Sequence, residues 1–146
     1  MSVEGGKFYP GEAATPQQLV ELADEYRRAA DAALQIKRCG QPLSLAPYRL
    51  LAIHAIELYF SALLRAAGHP SARVRGLQHD LAKHSEYALS AKLVLRKKTR
   101  AHLDALSATR EYLTTRYDPT ASTTSQLTRL GATLEEVADK VAKLVR

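Results

Sequence analysis

The chain has 146 residues, 46% of them hydrophobic and 25% charged, with a formal net charge of +6. That length supports one hydrophobic core without help from a metal or a disulfide, and the lone Cys39 leaves no intrachain bridge and no thiolate metal site. The basic excess suits phosphate-bearing or acidic partners. It is modest for a dedicated nucleic-acid binder, and with no Trp and two Phe the stacking platforms that hold single strands are scarce, although seven Tyr leave that contact open.

The first residues, MSVEGGKFYPGEAATP, lack a basic region followed by an apolar core, so no secretory leader is expected and a cytoplasmic location is. Residues 1–14, rich in Gly and polar side chains, are expected to form a flexible N-terminal arm, with 15–146 as a single helical-bundle domain. Thr15, Pro16 and Gln18 have the order of an N-cap, a first-turn proline and a capping-box partner. A first helix is predicted from there to about Arg38, with Leu19, Leu22, Tyr26, Ala29, Ala33 and Ile36 as its apolar face and Gly40 and Pro42 as its stop.

The second helix starts within Ser44–Pro47 and ends before Gly68 and Pro70. Its centre, LLAIHAIELYFSALLRAA, is nearly all apolar, and its polar residues His54, Glu57, Ser61 and Arg65 fall on one narrow stripe. The run is close to membrane-spanning length, but His54, Glu57 and Arg65 would be costly in hydrocarbon, so burial in protein is expected. A basic loop, SARVRG, follows. A third helix begins near His79–Asp80 and carries Leu81, Tyr87, Ala88, Ala91 and Leu95. The run RKKTR at 96–100 bridges two helices or forms the corner between them.

A fourth helix is predicted over 99–115, with Leu103, Leu106, Leu113 and Tyr117 as its stripe and Arg110 inside the same arc. Asp118–Pro119 ends it. After a Ser/Thr-rich link, Leu127, Leu130, Leu134, Val137, Val141 and Leu144 repeat at three-four spacing. Gly131 and a capping-box pair, Thr133 and Glu136, leave one helix or two open there. No segment alternates as a strand does. The expected fold is all-α: an up-and-down four-helix bundle with an additional short helix or helical arm.

Two polar positions stand out against this pattern. Glu57 on an apolar helix needs solvent, a proton or a base, and Arg110, equally out of place, is the natural partner for a bidentate bridge. The pair could fix the register of the bundle, or line a polar cleft that takes a ligand. His79 and Asp80 read as a helix start, with Asp80 favourable near the positive end. No His/Cys/Asp/Glu spacing suits a metal, since His54-x-x-Glu57 does not meet the two-histidine helical pattern of metalloproteases. No cofactor motif is present. Arg73, Arg75 and Lys83, and separately Arg96, Lys97, Lys98 and Arg100, form basic patches that are either solvated faces or phosphate-binding surfaces.

The segment HAIELYFSALLRAAGH followed by GLQHDLAKHSEYAL resembles a HEPN domain. The shared features are an acidic residue in an apolar helix, a SALL-like segment, and Gln78–Leu81 at the start of the next helix. REYLTTRYDP, Arg110 to Pro119, is similar to the end of one HEPN branch, with Tyr112, Thr115, Arg116, Tyr117 and Asp118 in order. The resemblance spans about 18–118 and implies a small helical bundle, a homodimer, and RNA-linked activity, often as a toxin with a cognate antitoxin-like partner. The family's ribonuclease motif is an Arg followed after four to six residues by a His. Arg110 could be that Arg, but Thr115, Arg116 and Tyr117 stand where the His belongs, and no His follows His102. The resemblance therefore implies binding of RNA, nucleotide or a partner protein through Glu57, Arg110, Arg116, Tyr117 and His54, with no membrane role. The alternatives are a metal-independent ribonuclease in which His54 or His102 replaces the missing histidine, and a purely structural dimeric module.

Overall fold

The computed structural model describes residues 9–120 and 124–145. Within them the chain forms seven α-helices and no strand: α1 (Pro16–Gln35), α2 (Ala46–Ala66), α3 (Ser71–Gly76), α4 (Leu81–Ser90), α5 (Lys97–Thr109), α6 (Glu111–Tyr117) and α7 (Leu127–Val145), with a 3-10 turn at Pro42–Leu45. Among these residues no helix is long and apolar enough to cross a membrane.

The central element is α2. Ala52, Ile53, Ala55, Ile56, Tyr59, Phe60, Ala62, Leu63 and Leu64 are all buried, which occupies most of its circumference. Burial of each large side chain among them contributes about 1.5–3 kcal/mol. The covering comes from α1, α7, α4 and α6, all packed on α2. The buried apolar residues of all these helices belong to one cluster. The apolar surface of α2 is thus covered by the chain's own helices. No α2 residue is among the exposed large hydrophobics.

The capping box at Thr15 forms as predicted: Thr15 Oγ1 accepts from the Gln18 N–H at 3.1 Å and Gln18 Oε1 accepts from the Thr15 N–H at 2.9 Å. The buried face of α1 matches the predicted one in part, with Leu19 and Tyr26 half-buried against the core. Val20, Ala23, Ala30 and Ala33 are buried, whereas Leu22 and Ile36 are 46% and 75% exposed. Small side chains at a helix contact let the axes approach, and larger ones are then left at the rim. The helix ends at Gln35, short of the predicted Arg38. Ser44 then closes the turn into α2, with Oγ accepting from the Arg38 N–H at 2.9 Å and donating to the Gln41 carbonyl at 2.7 Å.

SARVRG is a helical turn, α3, rather than a loop. The run 96–100 is the start of α5, not a linker. Its four cations oppose the positive end of the helix, and a carboxylate from α7 offsets them. Glu136 accepts from the Arg96 N–H at 2.7 Å and from Thr99 Oγ1, and pairs with Lys140. Burial alone would raise the Glu136 pKa, but hydrogen bonds from Lys140, Thr99 and the Arg96 N–H outweigh it and hold the group ionised. Thr133 and Glu136 therefore serve cross-helix contacts, and residues 127–145 are one helix.

The fourth predicted helix is two. The chain breaks at Arg110, which adopts a left-handed conformation with φ of 55° and ends α5 while opening α6. The turn swings Glu111 into the interior, where it is 2% exposed. Glu111 accepts from Arg49 Nη1 at 3.5 Å, from the Ser125 N–H at 2.8 Å and from Ser125 Oγ at 3.1 Å, while Arg49 Nη1 donates to the Ser125 carbonyl at 2.6 Å. A buried acid–arginine pair fixing helix placement does exist. Its members are Arg49 and Glu111, not Glu57 and Arg110.

Candidate functional site

Because most of the circumference of α2 is buried, its polar stripe is the main surface left to its central turns. His54, Glu57, Ser61 and Arg65 all line one cleft of about 510 Å³. The opposite wall is built by α3, by the turn into α4 and by residues 9–12, which contribute Arg75, Gln78, His79 and the Tyr9–Glu12 turn.

The turn that carries His79 is held from below. Asp80 caps α4 by accepting from the Lys83 N–H at 3.1 Å, and its Oδ1 also accepts from Ser107 Oγ on α5 at 3.1 Å. Ser107 Oγ in turn accepts from the Ala82 N–H at 2.9 Å. Just before this anchor, Gln78 takes a positive φ of 51°. The reversal brings His79 across to α2. His79 Nδ1 lies 2.7 Å from Glu57 Oε1. An ionised carboxylate only accepts, so Nδ1 carries the proton and Nε2 is the free nitrogen. The ring packs on Tyr112 with centroids 4.6 Å apart.

His54 sits one turn from Glu57 and packs edge-on against Tyr26, with centroids 4.5 Å apart. Burial lowers its pKa, Glu57 opposes the shift, and the Arg116 charge adds to it, so His54 is a neutral imidazole near pH 7. His84 forms part of the cleft floor. Its Nδ1 donates to the Asp80 carbonyl at 2.8 Å, and burial keeps it neutral too. The cleft cations are Arg65, which donates to the Glu12 carbonyl at 3.2 Å, and Arg75, whose guanidinium lies 4.2 Å from the centroid of the Tyr9 ring.

The five candidates from sequence do not converge. His54 and Glu57 face the cleft, and the expected Glu57–Arg110 bridge is absent because Glu57 pairs with His79. Arg110 is exposed at the α5–α6 junction, outside the lining of the cleft. Arg116 and Tyr117 belong to a neighbouring groove of about 950 Å³, formed with Pro42, Leu43 and Arg49. Only the Arg116 charge is felt in the cleft, through its effect on His54. His102, weighed as a substitute catalytic histidine, is buried between α5 and α7 with Nδ1 2.7 Å from Thr133 Oγ1.

His79 and Arg75 are the cleft residues that residue patterns missed. One reads as a helix start and the other as part of a charged corner. The juxtaposition of His79 with Glu57 spans 22 residues and depends on the left-handed Gln78, which no spacing rule announces. Among the described residues no group of three or more His, Cys, Asp or Glu is arranged to hold a metal ion. Compared with protein-family models, curated proteins and solved structures, the chain shows no significant match to any of them.

Proposed function

We propose that this chain is a HEPN-like helical protein that binds RNA or a nucleotide in the α2 cleft. In this reading α1, α2, α5 and α7 are the up-and-down four-helix bundle, and the shorter helices are additions that build the site wall. The observation that carries it is the convergence of His54, Glu57, Ser61 and Arg65 with His79 and Arg75 on one half-open cleft. A central helix that buries most of its circumference keeps this stripe polar. Two arginines beside neutral and carboxylate-held imidazoles suit a phosphate-bearing ligand with hydrogen-bonding bases. Arg116 and Tyr117 in the adjoining groove would extend contact along a longer strand. A homodimer and a cognate antitoxin-like protein are the partners that accompany this reading.

A second reading, metal-independent ribonuclease, is favoured by the Glu57–His79 contact at 2.7 Å. A carboxylate that orients an imidazole through Nδ1 leaves Nε2 to exchange a proton with substrate. His54, neutral and in the same cleft, supplies a second proton site. One imidazole could take the proton of a 2′-hydroxyl, and the imidazolium so formed could pass that proton to the leaving 5′-oxygen.

One experiment separates the readings. A 5′-fluorescein-labelled, mixed-sequence ribo-oligonucleotide is incubated with the protein in EDTA, and anisotropy and product length are both followed. Binding that weakens at least about tenfold in Arg65→Ala/Arg75→Ala, the loss expected when two charge-assisted contacts are removed, with no cleavage, supports the binding function. Cleavage that disappears in His79→Ala supports the enzyme. Neither binding nor cleavage by the wild-type chain overturns both.

A further inference from the structure

Both arginines proposed to meet the ligand are already engaged by the chain's own N-terminal segment. Arg65 donates from Nη2 to the Glu12 carbonyl at 3.2 Å and from Nη1 to the Gly11 carbonyl at 3.5 Å. Arg75 lies over Tyr9 at 4.2 Å. The segment that supplies these contacts is a small turn of its own. The Glu12 N–H donates to the Tyr9 carbonyl and the Ala14 N–H to the Gly11 carbonyl, each at 3.0 Å. Glu12 Oε1 also accepts from the Tyr9 N–H at 3.4 Å.

We infer that residues 9–14 form a displaceable strap that competes with an anionic ligand for Arg65 and Arg75, so that the cleft is self-occluded until the strap lifts. The inference rests on the cleft being an anion-binding site, as proposed above. Three features of the strap support it. Its acceptors toward Arg65 are neutral carbonyls, which a phosphate oxygen outcompetes because charge-assisted hydrogen bonds are stronger. It also adds Glu12 to the cleft lining, and the negative charge of that residue opposes an incoming anion. And it is weakly held. No residue from Tyr9 to Ala14 is buried, and Tyr9 is 48% exposed. Segments with few buried contacts open at low cost.

The hinge is present as well. Gly11 has φ of +85°, a conformation open to glycine and strained for other residues. The capping box at Thr15 anchors α1 independently of the strap, so lifting residues 9–14 leaves the first turn of α1 closed. The strap thus has a defined base, a flexible pivot and two clasps on the cations that matter to the ligand.

The test uses the full chain and the labelled ribo-oligonucleotide at low salt. Tyr9→Ala/Glu12→Gln, which removes the clasp on Arg75 and the strap's charge, is expected to tighten binding about five- to tenfold relative to wild type. Amide hydrogen exchange gives an independent readout: the Glu12 and Ala14 amides should exchange faster when the probe is bound. Unchanged affinity together with unchanged exchange, in a chain whose binding is still lost in Arg65→Ala/Arg75→Ala, overturns the strap and leaves the site standing. Binding that is indifferent to the arginine substitutions, or absent from wild type and strap variant alike, overturns the site and the strap with it.

Discussion

Glu57 is legible in the sequence as a carboxylate that must have a partner, and the structure supplies one, though not the arginine that pattern suggests. Polarity on an apolar helix identifies the residue. It does not identify what lies across from it, because that depends on the path of the chain between residues 66 and 80. His102 presents the inverse case. It reads as a substitute for the missing catalytic histidine, yet it is 6% exposed and, among the described residues, its Nε2 atom has no hydrogen-bond partner. Burial, with a smaller contribution from the Arg129 charge, pushes its pKa down from 6.5 to about 4. Between those two pH values the unfolded chain carries the proton and the folded chain does not. Stability is therefore full above pH 6.5 and falls as the pH drops toward 4, by about 3 kcal/mol from this one group. Burial shifts His54 and His84 in the same direction. Urea unfolding of wild type and His102→Leu at several pH values checks this: the variant should lose less stability on acidification. Parallel curves would remove His102 as the group responsible.

Helices with strong periodic signals were readable, and the joints between them were not. The capping box of α1, the limits of α2 and the repeat of α7 follow from local chemistry, namely a cap, a proline and an apolar stripe. The α5–α6 joint has no Gly or Pro to announce it. Arg110 occupies the left-handed position that closes many helices, where glycine is the usual residue. Tertiary demand explains the choice of break point: the turn delivers Glu111 to Arg49 and Ser125, and a continuous helix over 99–115 could not. The cost of a side chain in that conformation is about 1 kcal/mol. Arg110→Gly should accordingly raise stability by about 0.5–1 kcal/mol, a gain of about 2 °C in Tm for a domain of this size, and leave ligand binding unchanged. A loss of stability would mean that the arginine side chain makes a contact of its own at this joint.

At the scale of the whole molecule, an all-α chain with a central apolar helix was readable from composition and periodicity, and so was the stripe that faces the cleft. The wall opposite the stripe was not, because it is assembled from a short helix, a strained turn and an N-terminal segment with no periodic pattern. The net charge of +6 bears on the same question. If phosphate contacts carry the binding, affinity falls steeply with salt. Ligand binding in the α2 cleft is tested most directly by titrating the ¹⁵N-labelled chain with an unlabelled ribo-oligonucleotide and following amide chemical shifts. The largest changes are expected at His54, Glu57, Ser61, Arg65, Arg75 and His79. Shifts confined to the far ends of α5 and α7, or no shifts at all, would contradict it.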